Sequence, residues 1–158
     1  MFIYDNSNPI HPTFLSEFQH SRACDPVFVS GNHAYVTLRS GTWCDGFTNQ
    51  LDVINIEDLT NPYEVASYPM DNPHGLSIKD DVLYLCEGES GLKVFNIEDV
   101  NNIDGNRIDE VKDFNTYDAI SIPNKEVLLV VGEDGLYQFD TSEPSNLKEL
   151  SVISVDGK

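Results

Sequence analysis

Residues 91–99 read Gly91-Leu92-Lys93-Val94-Phe95-Asn96-Ile97-Glu98-Asp99, and altered copies of this stretch recur along the chain. Its central part is an apolar alternating run that ends on Asn. Residues that alternate in this way place one face in a core and the other outward, which is the period of a β-strand. The Asx side chain at the end of the run is expected to accept a hydrogen bond from the turn that follows. The stretch therefore predicts a repeat of β-strands.

The copies of this run end on Asp5, Asn55, Asn96 and Asp140, which are 50, 41 and 44 residues apart. Periods in the low forties are typical of a four-stranded blade of a β-propeller. One short strand follows each Asx residue, and two further strands precede each of the last three. The tight turns between those two strands are Gly31-Asn32, Asp80-Asp81 and Asn124-Lys125, which mostly tolerate a positive φ.

The predicted fold is an all-β propeller of four-stranded antiparallel blades, with about three and a half blades in an incomplete ring. The predicted units are a half blade at 1–20 and blades at 21–70, 71–114 and 115–158. The residues predicted to be buried include Leu76, Ile78, Leu83, Leu85, Val94, Ile120 and Ile122. A propeller ring usually has four to eight blades. We therefore expect a missing N-terminal half or a second copy to complete it.

The composition narrows the classes of partner. The chain of 158 residues carries 27 acidic and 9 basic residues, for a net charge of −18. Such a field repels nucleic acid and anionic membrane surfaces, so neither is expected as a partner. No run approaches the ~18 apolar residues of a membrane span, and the start of the chain does not have the pattern of a signal peptide. No cofactor is expected; calcium at the acidic turns Gly88–Gly91 and Gly132–Gly135 is the one candidate.

Three stretches resemble the LVIVD repeat family of β-propeller proteins. They are LDVINIEDLTNP at 51–62, LKVFNIED at 92–99 and VSGNHAYVT at 29–37. The text from Ala23 to Val53 is similar to the C-terminal half of exported, lipid-anchored LVIVD proteins of Bacteroidetes. The resemblance implies a location outside the cell or on its outer surface, and it implies that Met1 is an internal methionine. It carries over no catalytic residues.

One connection is unusually long. Val36 and Leu51 are 15 residues apart, whereas the equivalent pairs Leu85–Leu92 and Leu129–Leu136 are 7 apart. The extra residues lie within 39–50 and include Trp43 and Phe47. Aromatic side chains on such a loop indicate a ligand or partner contact, or a plug folded over the channel. Together with Arg39 and His74, they form the predicted binding site for a protein or a glycan.

The cysteines divide into two groups. Cys24 and Cys44 lie on connections of the same face of one blade, so a disulfide between them is physically possible. Cys86 lies in the apolar run 82–86 and is predicted to be a buried core thiol.

Asp25, His74 and Asp118 align at the entrances of the innermost strands and are predicted to ring the mouth of the channel. A histidine and two carboxylates could bind a divalent cation or act as acid and base, or they could simply cap the starts of strands.

The first function class is a non-enzymatic surface module for binding or scaffolding, which we favour. The alternative is a metal-dependent propeller lyase or hydrolase that uses these three residues.

Overall fold

A computed structural model of the chain describes residues 1–19, 26–41 and 48–155. Its described part is all-β: fourteen strands form four antiparallel sheets, and the one helical element is a single turn of 3-10 helix at Asp104–Asn106. The sheets are four-stranded blades of an incomplete propeller together with one two-stranded sheet, and they do not close a ring. The fold class predicted from the sequence is confirmed.

The strands occur in the order predicted from the repeat. The first sheet contains β1 (Phe2–Asp5) and β2 (Thr13–Glu17). The second contains β3 (Val27–Ser30), β4 (His33–Leu38), β5 (Gln50–Asn55) and β6 (Tyr63–Pro69). The third contains β7 (Leu76–Lys79), β8 (Val82–Cys86), β9 (Leu92–Asn96) and β10 (Arg107–Val111). The fourth contains β11 (Thr116–Ser121), β12 (Val127–Gly132), β13 (Gly135–Asp140) and β14 (Lys148–Ser154).

Each Asx residue at the end of a repeat caps the following turn, as predicted. The Oδ1 atoms of Asp5, Asn55, Asn96 and Asp140 accept hydrogen bonds from the backbone N–H two residues further on, at 2.8–3.0 Å. These bonds satisfy backbone N–H groups just beyond the end of the strand, which no longer pair with a neighbouring strand. The same turn therefore leads the chain into the outermost strand of all four sheets.

The hydrophobic core consists of three layers between successive sheets. The first layer joins the first and second sheets around Ala34, Val36 and Ile54. The second layer joins the second and third sheets, where Leu51 and Val53 meet residues such as Leu85. The third layer joins the third and fourth sheets. Its members include Tyr84, Leu92, Val94, Leu128 and Val130. Alternate residues of the third sheet thus face opposite neighbours, and both of its faces are covered.

The fourth sheet corrects one detail of the predicted core. Leu76, Ile78, Leu83, Leu85 and Val94 are buried as predicted. Ile120 is exposed and Ile122 is only half-buried, so the prediction for Ile120 is wrong. Instead, Ala119 and Leu128 face the third sheet. Because side chains alternate along a strand, a register one residue away from the predicted one turns the other face inward.

The turn between β11 and β12 shows where this difference arises. Two residues separate β3 from β4 and β7 from β8, whereas five separate Ser121 from Val127. Pro123 lies in this turn and has no N–H to extend the ladder.

Among the described residues, no helix is long and apolar enough to cross a membrane.

Candidate functional site

The connections between the second and third strands of each blade emerge on the same edge as those between blades, and together they form what we call the loop face. It includes the described ends of the long connection at 39–41 and 48–49, and the connections at 70–75, 87–91 and 112–115. Backbone hydrogen bonds join neighbouring connections. The N–H of Gly75 donates to Tyr117 O at 2.9 Å, and the N–H of Thr116 donates to Gly88 O at 3.0 Å.

Asn49 fixes the base of the long connection. Its Oδ1 accepts from the N–H of Ser40 at 2.8 Å, which joins the two ends of the loop. Its Nδ2 donates to Asp71 O at 2.6 Å, and its carbonyl accepts from the N–H of Met70 at 3.0 Å. The loop is therefore tied at its base to the connection that leads into the next blade.

His74 lies on that connection and is bound by groups from both neighbouring elements. Its carbonyl accepts from the Thr37 hydroxyl at 2.8 Å, and its N–H donates to Cys86 O at 2.7 Å. The guanidinium of Arg39 lies 2.7 Å from the imidazole Nε2. Burial, followed by the charge of Arg39, lowers the pKa of His74 to about 4. The imidazole is therefore neutral near pH 7 and accepts a hydrogen bond from Arg39.

Gly88 allows the close approach that holds this imidazole. Its φ is +57°, and a Cβ at this position would overlap the amide of Asn72 and lie 3.2 Å from His74 Nε2. On the other side, the ring of Tyr117 lies 5.7 Å from the imidazole between centroids. The two predicted binding residues that the structure describes, Arg39 and His74, are thus in direct contact within a defined enclosure.

Asp118 lies beside Gly75 rather than at the level of His74. A Cβ at Gly75 would overlap its Oδ1, which accepts from the N–H of Ala119 at 2.9 Å. Asp118 is the third residue of β11, and this hydrogen bond is with the next backbone amide along the strand. The residue that aligns with His74 in the observed register is Tyr117. Asp25, the third member of the predicted ring, lies outside the described residues.

A buried ion pair on the loop face was missed by sequence reasoning. Glu87 is fully buried, and its Oε2 accepts from the N–H of Asn72 at 2.6 Å. Lys93 Nζ lies 3.4 Å from Glu87 Oε1 and 2.7 Å from Asp71 Oδ2. Burial raises the pKa of Glu87, against the opposing effects of the Asn72 hydrogen bond and of Lys93. The hydrogen bond and charge of Lys93 lower the pKa of Asp71.

This ion pair holds the connection at 70–75 against the third sheet, and so it positions His74. A signal for it was present in the sequence. Lys93 interrupts the apolar run between Leu92 and Val94, and a buried lysine requires an anionic partner. The turn that precedes β9 contains two carboxylates, Glu87 and Glu89, and the structure selects the former.

An open acidic depression of about 580 Å³ adjoins the ion pair. Its carboxylates include Asp71, Glu89, Asp113 and Glu133, which lie on four different connections, and Lys112 lies among them. In residues 1–19, 26–41 and 48–155, no three histidine, cysteine, aspartate or glutamate side chains are grouped so that they could hold a metal ion.

The remaining predicted residues divide between the described and undescribed parts. Cys86 is a buried free thiol whose pKa is raised by burial to about 12, as the prediction of a core thiol requires. Trp43, Phe47, Cys24 and Cys44 lie outside the described residues, so the aromatic contact and the disulfide stay predictions.

Comparison with known proteins supports the repeat. No curated protein matches the chain. Residues 21–69, which contain all four strands of the second sheet, match the family model of the LVIVD repeat. This match supports the LVIVD repeat family, and the third and fourth sheets repeat the strand order of the matched sheet.

Proposed function

We propose that the chain is a non-enzymatic binding or scaffold module, and that its contact surface is the part of the loop face around residues 39–50 and His74. The observation that carries the proposal is the long connection. The third and fourth sheets are built with connections of a few residues at the same point, so the blade itself does not need the insert. Loops held by a rigid scaffold are where binding residues are concentrated.

The base of the insert has the preorganisation that a binding loop needs. Asn49 joins its two ends and ties them to the next blade. The guanidinium of Arg39 is held against the neutral imidazole of His74. A loop fixed in this way loses little conformational freedom at its base on binding, which favours affinity. Trp43 and Phe47 would supply the apolar contact area.

We propose a protein or a glycan as the partner, on the outside of the cell or on its outer surface. The resemblance to exported, lipid-anchored members is the basis for this location. A disulfide between Cys24 and Cys44 would agree with an oxidising compartment. The net charge of −18 favours partners with cationic groups over anionic ones.

Binding of the whole chain to immobilised bacterial polysaccharides and to a panel of cationic surface proteins tests the proposal. The double variant Trp43→Ala/Phe47→Ala should keep the fold and lose about 2–4 kcal/mol of binding free energy if either ring is a hot spot. Ile10→Ala is the matched control, because Ile10 is an exposed apolar residue on the connection between β1 and β2, at the opposite edge.

Two outcomes would contradict the proposal. If the double variant unfolds, the insert is a structural plug over the channel. If the double variant binds like the unchanged chain, the contact surface lies elsewhere. Hydrolysis or elimination of a bound glycan that is lost in His74→Ala and Asp118→Ala would instead support the enzyme alternative at the channel mouth.

A further inference from the structure

Two valines of β3 are exposed at a position where the repeat elsewhere buries its residues. Val27 and Val29 are 50% and 56% exposed, whereas Leu76 and Ile78, at the same positions of β7, are 5% and 7% exposed. The pairing is the same in both copies, with Val27 opposite Val36 and Leu76 opposite Leu85. The difference therefore comes from what lies against each strand.

The cover over Leu76 and Ile78 is provided by the two inner strands of the preceding sheet. Phe28 of β3 and Tyr35 of β4 pack in the same core layer as Leu76 and Ile78. The sheet that precedes β3 has only the two outer strands, β1 and β2. Val27 and Val29 are exposed because no described strand occupies the two inner positions.

The backbone of β1 has a free edge at the same place. In the other three sheets the equivalent strands β5, β9 and β13 are paired on both sides. β1 pairs with β2 alone among the described strands. An unpaired edge next to exposed valines is a surface that an added strand can complete by main-chain hydrogen bonds and by apolar contact.

A second copy of this chain is poorly suited to fill the gap. All fourteen described strands already belong to one of the four sheets. Withdrawing an inner hairpin such as β7–β8 would uncover Leu83 and Leu85, which are fully buried. The apolar area buried over Val27 and Val29 would be offset by the apolar area exposed in the copy that donates its hairpin.

We propose that the edge of β1 accepts an antiparallel β-hairpin from a polypeptide segment outside these 158 residues, and that this hairpin covers Val27 and Val29. Its second strand pairs with β1. This second strand presents an apolar or aromatic side chain toward β3, as Tyr35 does toward β7. The site is thus a strand-addition site that turns the first sheet into a four-stranded blade.

A copy of residues 73–91 placed directly before Met1 tests this site within the whole chain. That segment contains β7, β8 and the turn that leads into β9, and Leu92 occupies the repeat position of Met1 relative to the Asx residues. Hydrogen exchange followed by mass spectrometry should show that the amides of β1 exchange at least about tenfold more slowly in the fusion than in the unchanged chain.

Two controls separate docking from a general effect of the fusion. The same fusion with Tyr84→Asp in the added copy alone should give no protection, because the charge would face β3. Val29→Asp in the fusion should keep the fold, since Val29 is exposed in the unchanged chain, and should abolish the protection. If either control protects β1 as well as the original fusion does, the proposed docking is wrong.

A separate peptide of residues 73–91 provides the second measurement where the fusion fails to fold. Added in excess to the 158-residue chain, it should slow exchange in β1 but not in β14. Absence of protection in both formats overturns the proposal. It is also overturned if the unchanged chain sediments as a dimer in which β1 is already protected, because the occupant is then a second copy.

Discussion

Two effects act in the same direction on the pKa of His74. Burial and the Arg39 guanidinium both disfavour the charged imidazole and lower its pKa from the ordinary 6.5 to about 4. The folded chain therefore binds fewer protons at this site than the unfolded chain does between these two pH values. The resulting stabilisation is fully present above pH 6.5 and is lost progressively as the pH falls toward 4.

Replacing His74 by Gln should remove this part of the pH dependence. Gln keeps an acceptor for Arg39 but does not titrate. Urea unfolding at a series of pH values should show the free energy of unfolding falling more steeply for the unchanged chain than for His74→Gln between pH 6.5 and 4. The carboxylates are the same in both proteins, so their contributions cancel. Parallel curves would show that the imidazole is equally basic in the folded and unfolded chains.

Lys93 offers a second test at the residue scale, because it neutralises a carboxylate that is fully buried. Lys93→Met should destabilise the chain by about 3–5 kcal/mol, since it leaves Glu87 without its cation. The double variant Glu87→Gln/Lys93→Met should recover most of the loss. Lys79→Met is the control, because its ion pair with the exposed Glu126 should contribute under about 1 kcal/mol. Thermal unfolding of the four proteins measures these differences, and equal losses for the two lysines would contradict the prediction.

These residues differ in how far the sequence could predict them. The Asx caps at Asp5 and Asn55 could be predicted because donor and acceptor are two residues apart. The contact of Arg39 with His74 joins residues 35 apart. The sequence placed both on one face, but it could not give the orientation of either side chain. The ion pair of Lys93 depends on which of two nearby glutamates points inward, and that is decided by packing.

At the scale of the strand, the fourth sheet shows the limit of pattern reading. Residues 127–131 are all apolar, so the sequence has no alternation that would indicate which of them face the core. The register depends on the turn, and a turn of five residues replaces the expected two. In the third sheet, Ser77 and Lys93 interrupt the apolar runs of β7 and β9, and the predicted burial of Leu76, Ile78 and Val94 is confirmed.

The register of β11 can be tested with a pair of neighbouring substitutions. Ala119→Asp should destabilise the chain by about 3 kcal/mol or more, because it places an unpaired charge between the third and fourth sheets. Ile120→Asp should change the stability by less than about 1 kcal/mol, because its side chain is exposed. Chemical denaturation of both variants compares them directly. The opposite order of stabilities would restore the register expected from the sequence.

At the scale of the molecule, the four sheets differ in how much of their surface is covered. The third sheet packs on both faces, against the second and the fourth. The first sheet exposes Tyr4, whereas Ile54, Phe95 and Phe139, at the same repeat position, are buried. Every residue of β14 is exposed. The count of strands in the sequence predicts such an incomplete ring, because three and a half blades leave two apolar ends.

This difference should appear as a gradient of local stability along the chain. Native-state hydrogen exchange should be slowest for amides of β8 and β9 and faster for β1, β2 and β14, because local opening of a sheet costs less when fewer apolar contacts are broken. Leu85→Ala should lower the stability of the third sheet by about 2–5 kcal/mol through the cavity it leaves. In a molecule that opens sheet by sheet, this substitution accelerates exchange in β8 and β9 while β1 and β14 keep their rates. Equal acceleration in all fourteen strands would show instead that the sheets unfold as one cooperative unit.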